Sequence, residues 1–287
     1  MKAAITFFLL LNTLYACAQK KGPQIVVSEA NVESAYPRLS KDGKSVLFQS
    51  NKTGSWQLLI YDIAAKKSRQ LTNGAANSDF PDWSTDNEWI AFVSDKDGNE
   101  EIYLMDKSGK NIKRLTNDPA RDIHPYFSPD GKYLLFNSSR GNGSLDIYRL
   151  TLADGKTERI TNTKQNETCA RYSPNMKQIT FLRNDDLGDD VFVMDMNTFV
   201  TDNVTKDPSI RDGWPVYGPD GKWIYYSSMQ TGPFCIFRID TEGRNKQQLT
   251  FAAFGEEDAR VFVSADGRSL IYNKRLDGRI DILRLVI

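Results

Sequence analysis

Acidic side chains recur at a regular interval in this sequence, which makes them the first candidates for chemistry. Six positions follow one another at intervals of 44 to 46 residues, and four of the six are acidic. These positions are Ser34, Ser78, Asp122, Glu167, Asp212 and Asp258. If the fold gathers them, their carboxylates would repel one another and favour a cation or a positively charged partner group. The alternative is structural, because such side chains often bond to backbone amides in turns.

Other residues that commonly carry out catalysis are scarce. His124 is the one histidine, and no Gly-x-Ser-x-Gly motif supplies a nucleophile for it. The histidine count excludes histidine-rich metal sites, and no cysteine pair has zinc-ligand spacing. No glycine-rich phosphate loop occurs. We therefore predict no catalytic residue and no cofactor, with Asp95 and Asp97 as candidates for calcium in a loop that lacks the final glutamate of a calcium site.

The elements that position these residues come from a repeat. A motif of the type Pro-x-aromatic-Ser-Pro-Asp-Gly occurs six times, with spacings of 44, 44, 45, 45 and 46 residues. Its copies begin at Pro37, Pro81, Pro125, Ala170, Pro215 and Val261. A period of this length indicates an array of like supersecondary units. The acidic set defined above lies three residues before each copy, so the architecture of the repeat decides where it sits.

Each repeat contains four strand signals. After the motif, a turn such as Asp130-Gly131 suits a tight hairpin. In the second strand an aromatic residue recurs at one register, which indicates a core layer: Phe48, Phe92, Phe136, Phe181, Tyr226 and Tyr272. A third strand alternates in polarity, and a fourth ends in an apolar residue plus Thr, as in Leu115-Thr116. The sequence thus predicts an all-β fold, a six-bladed β-propeller of four-stranded antiparallel blades.

The two ends of the sequence predict how the ring closes. The sixth repeat supplies a third strand near Asp281 and then ends without a fourth. Upstream, Val27-Ser28 precedes Pro37 by the distance that separates Leu-Thr from the motif in the second and third repeats. We therefore expect the N-terminal strand to complete the last blade and to cover its open edge.

In such a ring the acidic set would approach the mouth of the central channel. We expect a mouth of negative potential, partly neutralised by Arg38, Arg171 and Arg260, that binds a protein, a peptide or a cation. The rival class is an enzyme, a hydrolase or lyase acting on peptides or carbohydrates with carboxylates as general acid and base. Two carboxylates with shifted pKa values facing one cavity would favour the enzyme. A third alternative is a structural partner that binds through the side of a blade.

Residues 1–18 have the pattern of an export signal, a basic residue followed by a short apolar run. The segment that ends at Cys17 is similar to a bacterial lipobox, in which this cysteine would carry the lipid. The same segment also fits a simple signal peptide that releases a soluble protein. Residues 19–287 would form a single propeller domain, with membrane contact through a lipid anchor only.

Composition and cysteine positions narrow the partners further. Lysine plus arginine and aspartate plus glutamate both number 37, and no long basic run concentrates positive charge. Nucleic-acid binding needs such a concentration, so we expect no nucleic-acid partner. Cys169 and Cys235 occupy different positions in their repeats, which predicts two buried free thiols rather than a disulfide.

Repeats two and three carry a family resemblance. They combine the motif with a glycine-containing loop (Asp-x-x-Gly in repeat two), a strand such as Ile-Tyr-Leu-Met-Asp and a closing Leu-Thr or Ile-Thr, from Pro81 to Asn117 and from Pro125 to Asn162. This pattern resembles the TolB-type, WD40-like propeller repeat, without the α/β domain that precedes the propeller in TolB. The resemblance implies a non-enzymatic propeller that binds an envelope protein or peptide at its channel mouth. It also implies a location in the periplasm or, lipid-anchored, at the outer membrane of a Gram-negative bacterium.

Overall fold

The computed structural model describes residues 22–184, 188–207 and 209–287. These residues form 24 β-strands arranged as six four-stranded antiparallel sheets, and they contain no helix. Consequently, nothing in these ranges is a helix of the length and apolarity that crossing a bilayer requires. The predicted all-β, six-bladed propeller is confirmed.

Strand β1 (Gln24–Val27) comes first in the chain and is followed by the blades, whose strands run in order from the channel outward. Blades 1 to 3 consist of β2 (Ser34–Leu39), β3 (Ser45–Ser50), β4 (Gln57–Asp62) and β5 (Lys67–Gln70); β6 (Ser78–Trp83), β7 (Trp89–Ser94), β8 (Glu101–Asp106) and β9 (Lys113–Arg114); and β10 (Asp122–Phe127), β11 (Tyr133–Ser138), β12 (Asp146–Thr151) and β13 (Thr157–Arg159). Blades 4 to 6 consist of β14 (Asn166–Tyr172), β15 (Gln178–Asn184), β16 (Asp189–Asp195) and β17 (Thr201–Asn203); β18 (Asp212–Tyr217), β19 (Trp223–Ser228), β20 (Cys235–Asp240) and β21 (Gln247–Gln248); and β22 (Glu257–Val263), β23 (Ser269–Leu276) and β24 (Arg279–Val286).

The sixth blade takes its outer strand from the start of the chain. Its strand order is β22-β23-β24-β1, and β1 pairs antiparallel with β24, with Gln24 opposite Arg284. Val26 and Val27 pack against a buried cluster that includes Phe48 of the first blade. The predicted closure of the ring is therefore confirmed, and β1 covers an edge that would otherwise be open.

The core lies between neighbouring blades rather than at the centre of the ring. Leu47 and Leu58 of blade 1, for example, share a buried cluster with Phe92 and Tyr103 of blade 2. The recurring aromatic residue of the second strand is at most 2% exposed in all six blades: Phe48, Phe92, Phe136, Phe181, Tyr226 and Tyr272. The predicted core layer is thus confirmed.

The residues that repeat most strictly hold local turns together. The serine of the motif donates a hydrogen bond to the Asp or Asn two residues later in five blades, at 2.6 Å in the pair Ser128–Asp130. In blades 1 to 5, the threonine two residues after the fourth strand accepts a hydrogen bond from a backbone N–H of the third strand, as Thr116 does from Ile102 at 2.9 Å. Repeated residues therefore account for the blades, and differences between repeats are where function must be sought.

The cysteines have the predicted state where the structure describes them. Cys169 and Cys235 are both free and buried, and they belong to the same apolar cluster. The prediction of buried thiols without a disulfide is confirmed. Cys17 lies outside the described residues, so its lipidation stays a prediction.

Candidate functional site

Every inner strand is interrupted by a bulge just before the motif. The register between the first and second strands shifts at this point in all six blades. The residue at the bulge has a positive φ between 48° and 57°, the left-handed region that side chains other than glycine rarely adopt. These six residues, called the belt below, are Tyr36, Phe80, His124, Cys169, Trp214 and Arg260. Such strain persists only where surrounding contacts determine it, and it often occurs at functional positions.

Cross-blade hydrogen bonds hold the bulges in place. In four of the six blades, a polar side chain of the preceding blade's second strand accepts the N–H of the belt residue. The pairs are Gln49 with Phe80 at 2.8 Å, Asn137 with Cys169 at 3.1 Å, Ser227 with Arg260 at 3.2 Å and Asn273 with Tyr36 at 3.0 Å. The bulge turns the belt side chains toward their neighbours in the next blades, and the bond fixes that direction.

The belt side chains contact one another from blade to blade. The ring centroids of Tyr36 and Phe80 are 4.8 Å apart, and those of Phe80 and His124 are 4.3 Å apart. On the other side, the Arg260 guanidinium lies 4.8 Å from the Tyr36 ring and 4.5 Å from the Trp214 ring. The belt therefore forms a layer of aromatic rings and one cation across the channel.

The second residue of each motif forms a further layer next to the belt. Its members are Arg38, Asp82, Tyr126, Arg171, Val216 and Phe262. The Nε of Arg38 lies 3.3 Å from a carboxylate oxygen of Asp82, and its guanidinium lies 5.5 Å from the Tyr126 ring. Arg38 belongs to the strand next to the channel, and it is only 2% exposed. Side chains of several blades therefore fill the channel at this layer.

Arg171 differs from Arg38 in forming no salt bridge, although its positive charge, like that of Arg38, lowers the pKa of Asp82. Its guanidinium lies 3.7 Å from the centre of the Tyr126 ring, which is a close cation–π contact. No described residue forms a hydrogen bond or a salt bridge with this guanidinium, whereas Asp82 is already engaged by Arg38 and by the N–H of Phe127. Arg171 thus presents unpaired N–H donors, and it borders the cavity described next.

A funnel opens above these layers, at the end of the ring where the inner strands finish. The term funnel is used below for this cavity of about 440 Å³, to which all six blades contribute. Its wall is largely aromatic and apolar and includes Leu39, Trp83, Phe127, Tyr172, Tyr217 and Val263. At its floor lie Asp82, Tyr126, Arg171, Val216 and Phe262. A concave apolar site with a few convergent polar groups is the usual form of a ligand site.

The two layers carry positive charge. They hold three arginines, Arg38, Arg171 and Arg260, against one carboxylate, that of Asp82. Burial raises the pKa of Asp82, but the two neighbouring arginines oppose this effect. Burial also lowers the pKa of His124 to about 3, so this imidazole is neutral at ordinary pH. The channel therefore attracts anions, which is opposite in sign to the mouth expected from the sequence.

The acidic set lies elsewhere. Its members occupy the first or second residue of each inner strand, whereas the funnel is formed where these strands end, and none of the six lines it. All six are buried: Ser34, Ser78, Asp122, Glu167, Asp212 and Asp258. Three carboxylates have a cation of their own blade, in the pairs Asp122–Arg140 at 2.5 Å, Glu167–Arg183 at 2.7 Å and Asp258–Lys274 at 3.6 Å. The expected open ring of carboxylates is therefore replaced by separate buried groups, and three of the four carboxylates lie beside a cation.

Asp212 is the member of the acidic set without a salt bridge. Burial raises its pKa to about 6, while hydrogen bonds with Ser228 and Thr205 oppose the rise. Nearby Asp190 adds to the increase by repulsion. The negative charge of this carboxyl group is therefore disfavoured in the fold. Burial also raises the pKa of Asp122 and of Asp258, but there the neighbouring Arg140 and Lys274 oppose the rise.

The two calcium candidates bond to protein groups. Asp95 accepts hydrogen bonds from the backbone N–H and the side-chain amide of Asn77, both at 2.8 Å. The hydroxyl group of Tyr103 donates a hydrogen bond to a carboxylate oxygen of Asp97 at 2.5 Å. Over the described ranges, no group of three or more His, Cys, Asp or Glu side chains is arranged to hold a metal ion. The geometry gives the calcium prediction no support, and the prediction stays untested.

The residues that form the funnel and the layers beneath it were not predicted as a binding site from the sequence. Arg38, Arg171 and Arg260 were expected only to offset the acidic set, and Trp83 and Phe127 were assigned to the repeat. One signal was available, because the residue before the motif and its second residue vary in chemical type while their neighbours repeat. Residue types that vary at two fixed positions of a strict repeat indicate that these two positions do not serve the structural role shared by all blades.

A closed ring of six antiparallel blades around a lined channel defines the chain as a β-propeller protein. The family model for the TolB beta propeller domain matches residues 95–188 and 164–286. These matches cover more than half of the sequence, so the chain belongs to the TolB β-propeller domain family. A model for the N-terminal region of dipeptidyl peptidase IV also matches residues 40–126.

Similar proteins include TolB and also enzymes. The chain is 30% identical over 149 residues to an uncharacterized protein of Agrobacterium fabrum, covering 49% of this chain and 50% of that protein. It superposes on the crystal structure of TolB from Acinetobacter baumannii with a TM-score of 0.69 and 26% identity, covering 78% of this chain and 55% of that one. The chain thus spans about half the length of both proteins.

An oligogalacturonate lyase in complex with manganese superposes with a TM-score of 0.66 and 14% identity, covering 92% of this chain and 93% of that chain. At this identity the likeness shows the fold alone. The same fold carries unrelated functions in different proteins, so the function of this chain has to be argued from its own site.

Proposed function

We propose that this chain is a non-enzymatic binding module of the bacterial cell envelope that holds part of a protein or peptide partner in the funnel. The observation that carries the proposal is the funnel itself, a cavity of about 440 Å³ with an aromatic wall and the unpaired Arg171 at its floor. Aromatic and arginine side chains dominate the binding energy of protein interfaces. The partner is therefore expected to insert a short segment rather than to lie flat on the ring.

The envelope location rests on the export pattern of residues 1–18 and on the family to which the chain belongs. Anchoring through a lipid on Cys17 is part of this proposal, with a soluble periplasmic form as the alternative. Binding at the acidic set remains an untested prediction, and its burial and local pairing make the funnel the better candidate.

The enzyme alternative lacks the feature that would favour it. Among the described residues, Asp82 is the one carboxylate that lines the funnel, and it is paired with Arg38. His124 is packed between Phe80 and Cys169 and is kept neutral by burial. Two carboxylates with separate acid and base roles, as a hydrolase or lyase of the expected kind would need, do not face this cavity.

A site-specific cross-linking experiment tests the binding role of the funnel. The photoreactive residue p-benzoylphenylalanine replaces Thr85, which is exposed at the funnel. A matched protein carries it at Ser68, which is exposed on the outer strand of blade 1. After irradiation in intact cells of the source bacterium, we expect a discrete cross-linked partner from position 85 and none from position 68.

A further variant shows whether the partner sits inside the funnel. Trp83→Ala should remove the cross-link from position 85 while the melting temperature still reports a folded ring, because Trp83 is part of the funnel wall. Cross-links from position 68 alone would instead indicate binding through the side of a blade. A folded protein with no cross-link at either position would contradict a binding role for the funnel.

A further inference from the structure

We propose that the funnel binds the free C-terminal carboxylate of an extended polypeptide, with Arg171 as its main hydrogen-bond donor. This inference rests on the proposed binding function of the funnel and names the chemical group that is recognised. It is carried by three observations: the unpaired guanidinium of Arg171, the net charge of the layers beneath the funnel, and the blocked channel below.

Arg171 is prepared to bind an anion. Its contact with the Tyr126 ring at 3.7 Å limits the positions that the guanidinium can take. Its N–H donors find no acceptor among the described residues, so water or a ligand must satisfy them. A guanidinium offers parallel N–H groups that match the two oxygens of a carboxylate, and such charge-assisted bonds are the stronger kind.

The surroundings reinforce the preference for negative charge. Arg38 and Arg171 both lie near the single carboxylate of Asp82, and Arg260 forms no salt bridge with a described residue, so positive charge exceeds negative charge here. The Nε of Arg260 is buried and has no hydrogen-bond partner among the described residues. His124 is neutral at ordinary pH and therefore neither adds to this positive charge nor offsets it. A single anionic group entering the funnel would therefore lower the electrostatic cost of the site.

Because the channel is closed below the funnel, the site favours the end of a polypeptide over an internal segment that would have to pass through the ring. Below the floor of the funnel, Arg38 reaches from blade 1 to Tyr126 of blade 3 and to Phe262 of blade 6. In the belt, the ring centroids of Tyr36 and His124 are 6.4 Å apart. These side chains leave no passage for a polypeptide through the ring. A cavity of about 440 Å³ is at the small end of ligand sites, and it suits only the last few residues of a chain.

The aromatic wall favours a peptide over a free inorganic anion. Trp83, Phe127 and Tyr217 line the path from the opening to Arg171. Phosphate would gain nothing from these rings, whereas the last side chains of a peptide would bury apolar surface against them. The funnel therefore combines one group that holds the carboxylate with a wall that holds the residues before it.

Two peptide pools test this inference on the wild-type protein. Random hexapeptides are immobilised through their N-termini, one pool ending in a free carboxylate and the other in a C-terminal amide. We expect the protein to bind members of the first pool and to bind the same sequences as amides at least about tenfold more weakly. This comparison needs no variant, so it remains decisive if a substitution harms folding.

Substitution then identifies the donor. Arg171→Gln should reduce binding of the free-carboxylate peptides to the level of the amides, while the amides bind as before. The control is Arg238→Gln, because Arg238 stacks on Trp223 at 4.4 Å but lies outside the funnel. It should leave both pools unaffected. Unchanged preference for the carboxylate in a folded Arg171→Gln protein would assign the recognition to another group.

The possible failures have different meanings. Equal binding of acid and amide peptides, lost in Trp83→Ala, would keep the funnel as a binding site but overturn carboxylate recognition. Amides that bind only when they carry an internal Asp or Glu would indicate a side-chain carboxylate and overturn the chain-end specificity. Binding of inorganic phosphate without binding of either pool would overturn both the inference and the proposed peptide-binding function.

Discussion

Four carboxylates at equivalent positions have different electrostatic environments. Asp122, Glu167 and Asp258 each lie beside a cation of their own blade, and Asp212 does not. The sequence presents all four as one set because they share a register. The cation beside each of them comes instead from the second strand of its blade or from the loop just after it, and it is Arg140, Arg183 or Lys274 in three blades. A single-residue difference therefore decides whether the buried charge is balanced.

Asp212 should destabilise the folded protein as the pH rises. Its pKa of about 6 in the fold lies above the ordinary value of 3.8, so between these values the folded state holds the proton more tightly than the unfolded chain. The stability contributed by this group is present at low pH and falls as the pH rises through that window. At pH 7.5, Asp212→Asn should raise the free energy of unfolding by up to about 3 kcal/mol. Near pH 4 the difference should disappear, as measured by urea unfolding at both pH values.

Glu167→Gln is the matched control. It removes the charge that pairs with Arg183, so it should lower the free energy of unfolding at pH 7.5 by about 1 to 3 kcal/mol. Opposite signs for the two variants follow from local pairing. If both variants gained stability equally at pH 7.5, mutual repulsion within the acidic set would be the better explanation.

Among the elements, β1 is short but has a large structural role. It supplies four residues, yet it forms the outer edge of the last blade. Its two valines face the cluster around Phe48, while Ile25 is 65% exposed. The strand therefore acts through one packed face as well as through its backbone pairing.

A pair of substitutions on β1 separates the packed face from the exposed one. Val27→Asp should lower the free energy of unfolding by about 2 kcal/mol or more, because it places a charge against an apolar cluster. Ile25→Asp on the same strand should change it by no more than about 0.5 kcal/mol. Thermal and urea unfolding measure both. Equal and small effects would mean that β1 does not hold the ring closed.

Across the whole molecule, the junction between the last and first blades has the same hydrogen bonds as a junction inside the ring. The side chain of Asn273 in blade 6 donates to the carbonyl of Ser34 at 2.9 Å and accepts the N–H of Tyr36 at 3.0 Å in blade 1. Asn137 joins blades 3 and 4 in the same way, through Glu167 at 2.8 Å and Cys169 at 3.1 Å. Equivalent bonds thus connect residues more than 230 apart in sequence and residues about 30 apart.

Replacing each asparagine by alanine tests this equivalence. Each change leaves one buried carbonyl and one buried N–H without a partner, which should cost about 2 to 4 kcal/mol of the free energy of unfolding. We expect the Asn273→Ala and Asn137→Ala losses to agree within about 1 kcal/mol. A much smaller loss for Asn273→Ala, measured by urea unfolding, would show that the closing junction is looser than the others.

The sequence alone determined the architecture because the same local pattern of turn and strand residues occurs six times. The Asp-Gly turns, the aromatic of the second strand and the missing last strand were sufficient for the number of blades, their strand count and the closure by β1. These features depend on hydrogen bonds and packing between residues close in sequence or at one register. They could therefore be predicted without knowledge of side-chain positions.

Only the tertiary structure decided the site. The bulge before each motif redirects six side chains into the channel, and contacts such as that between Arg171 and Tyr126 join residues 45 positions apart. Whether a carboxylate faces solvent or an arginine depends on the neighbouring strand, as for Glu167 and Arg183. The sign of the charge at the channel depends on residues from several blades and several positions of the repeat, so it could not be predicted from the acidic set alone. The acidic set was therefore visible in the sequence, but the positive funnel emerged only when the ring had closed.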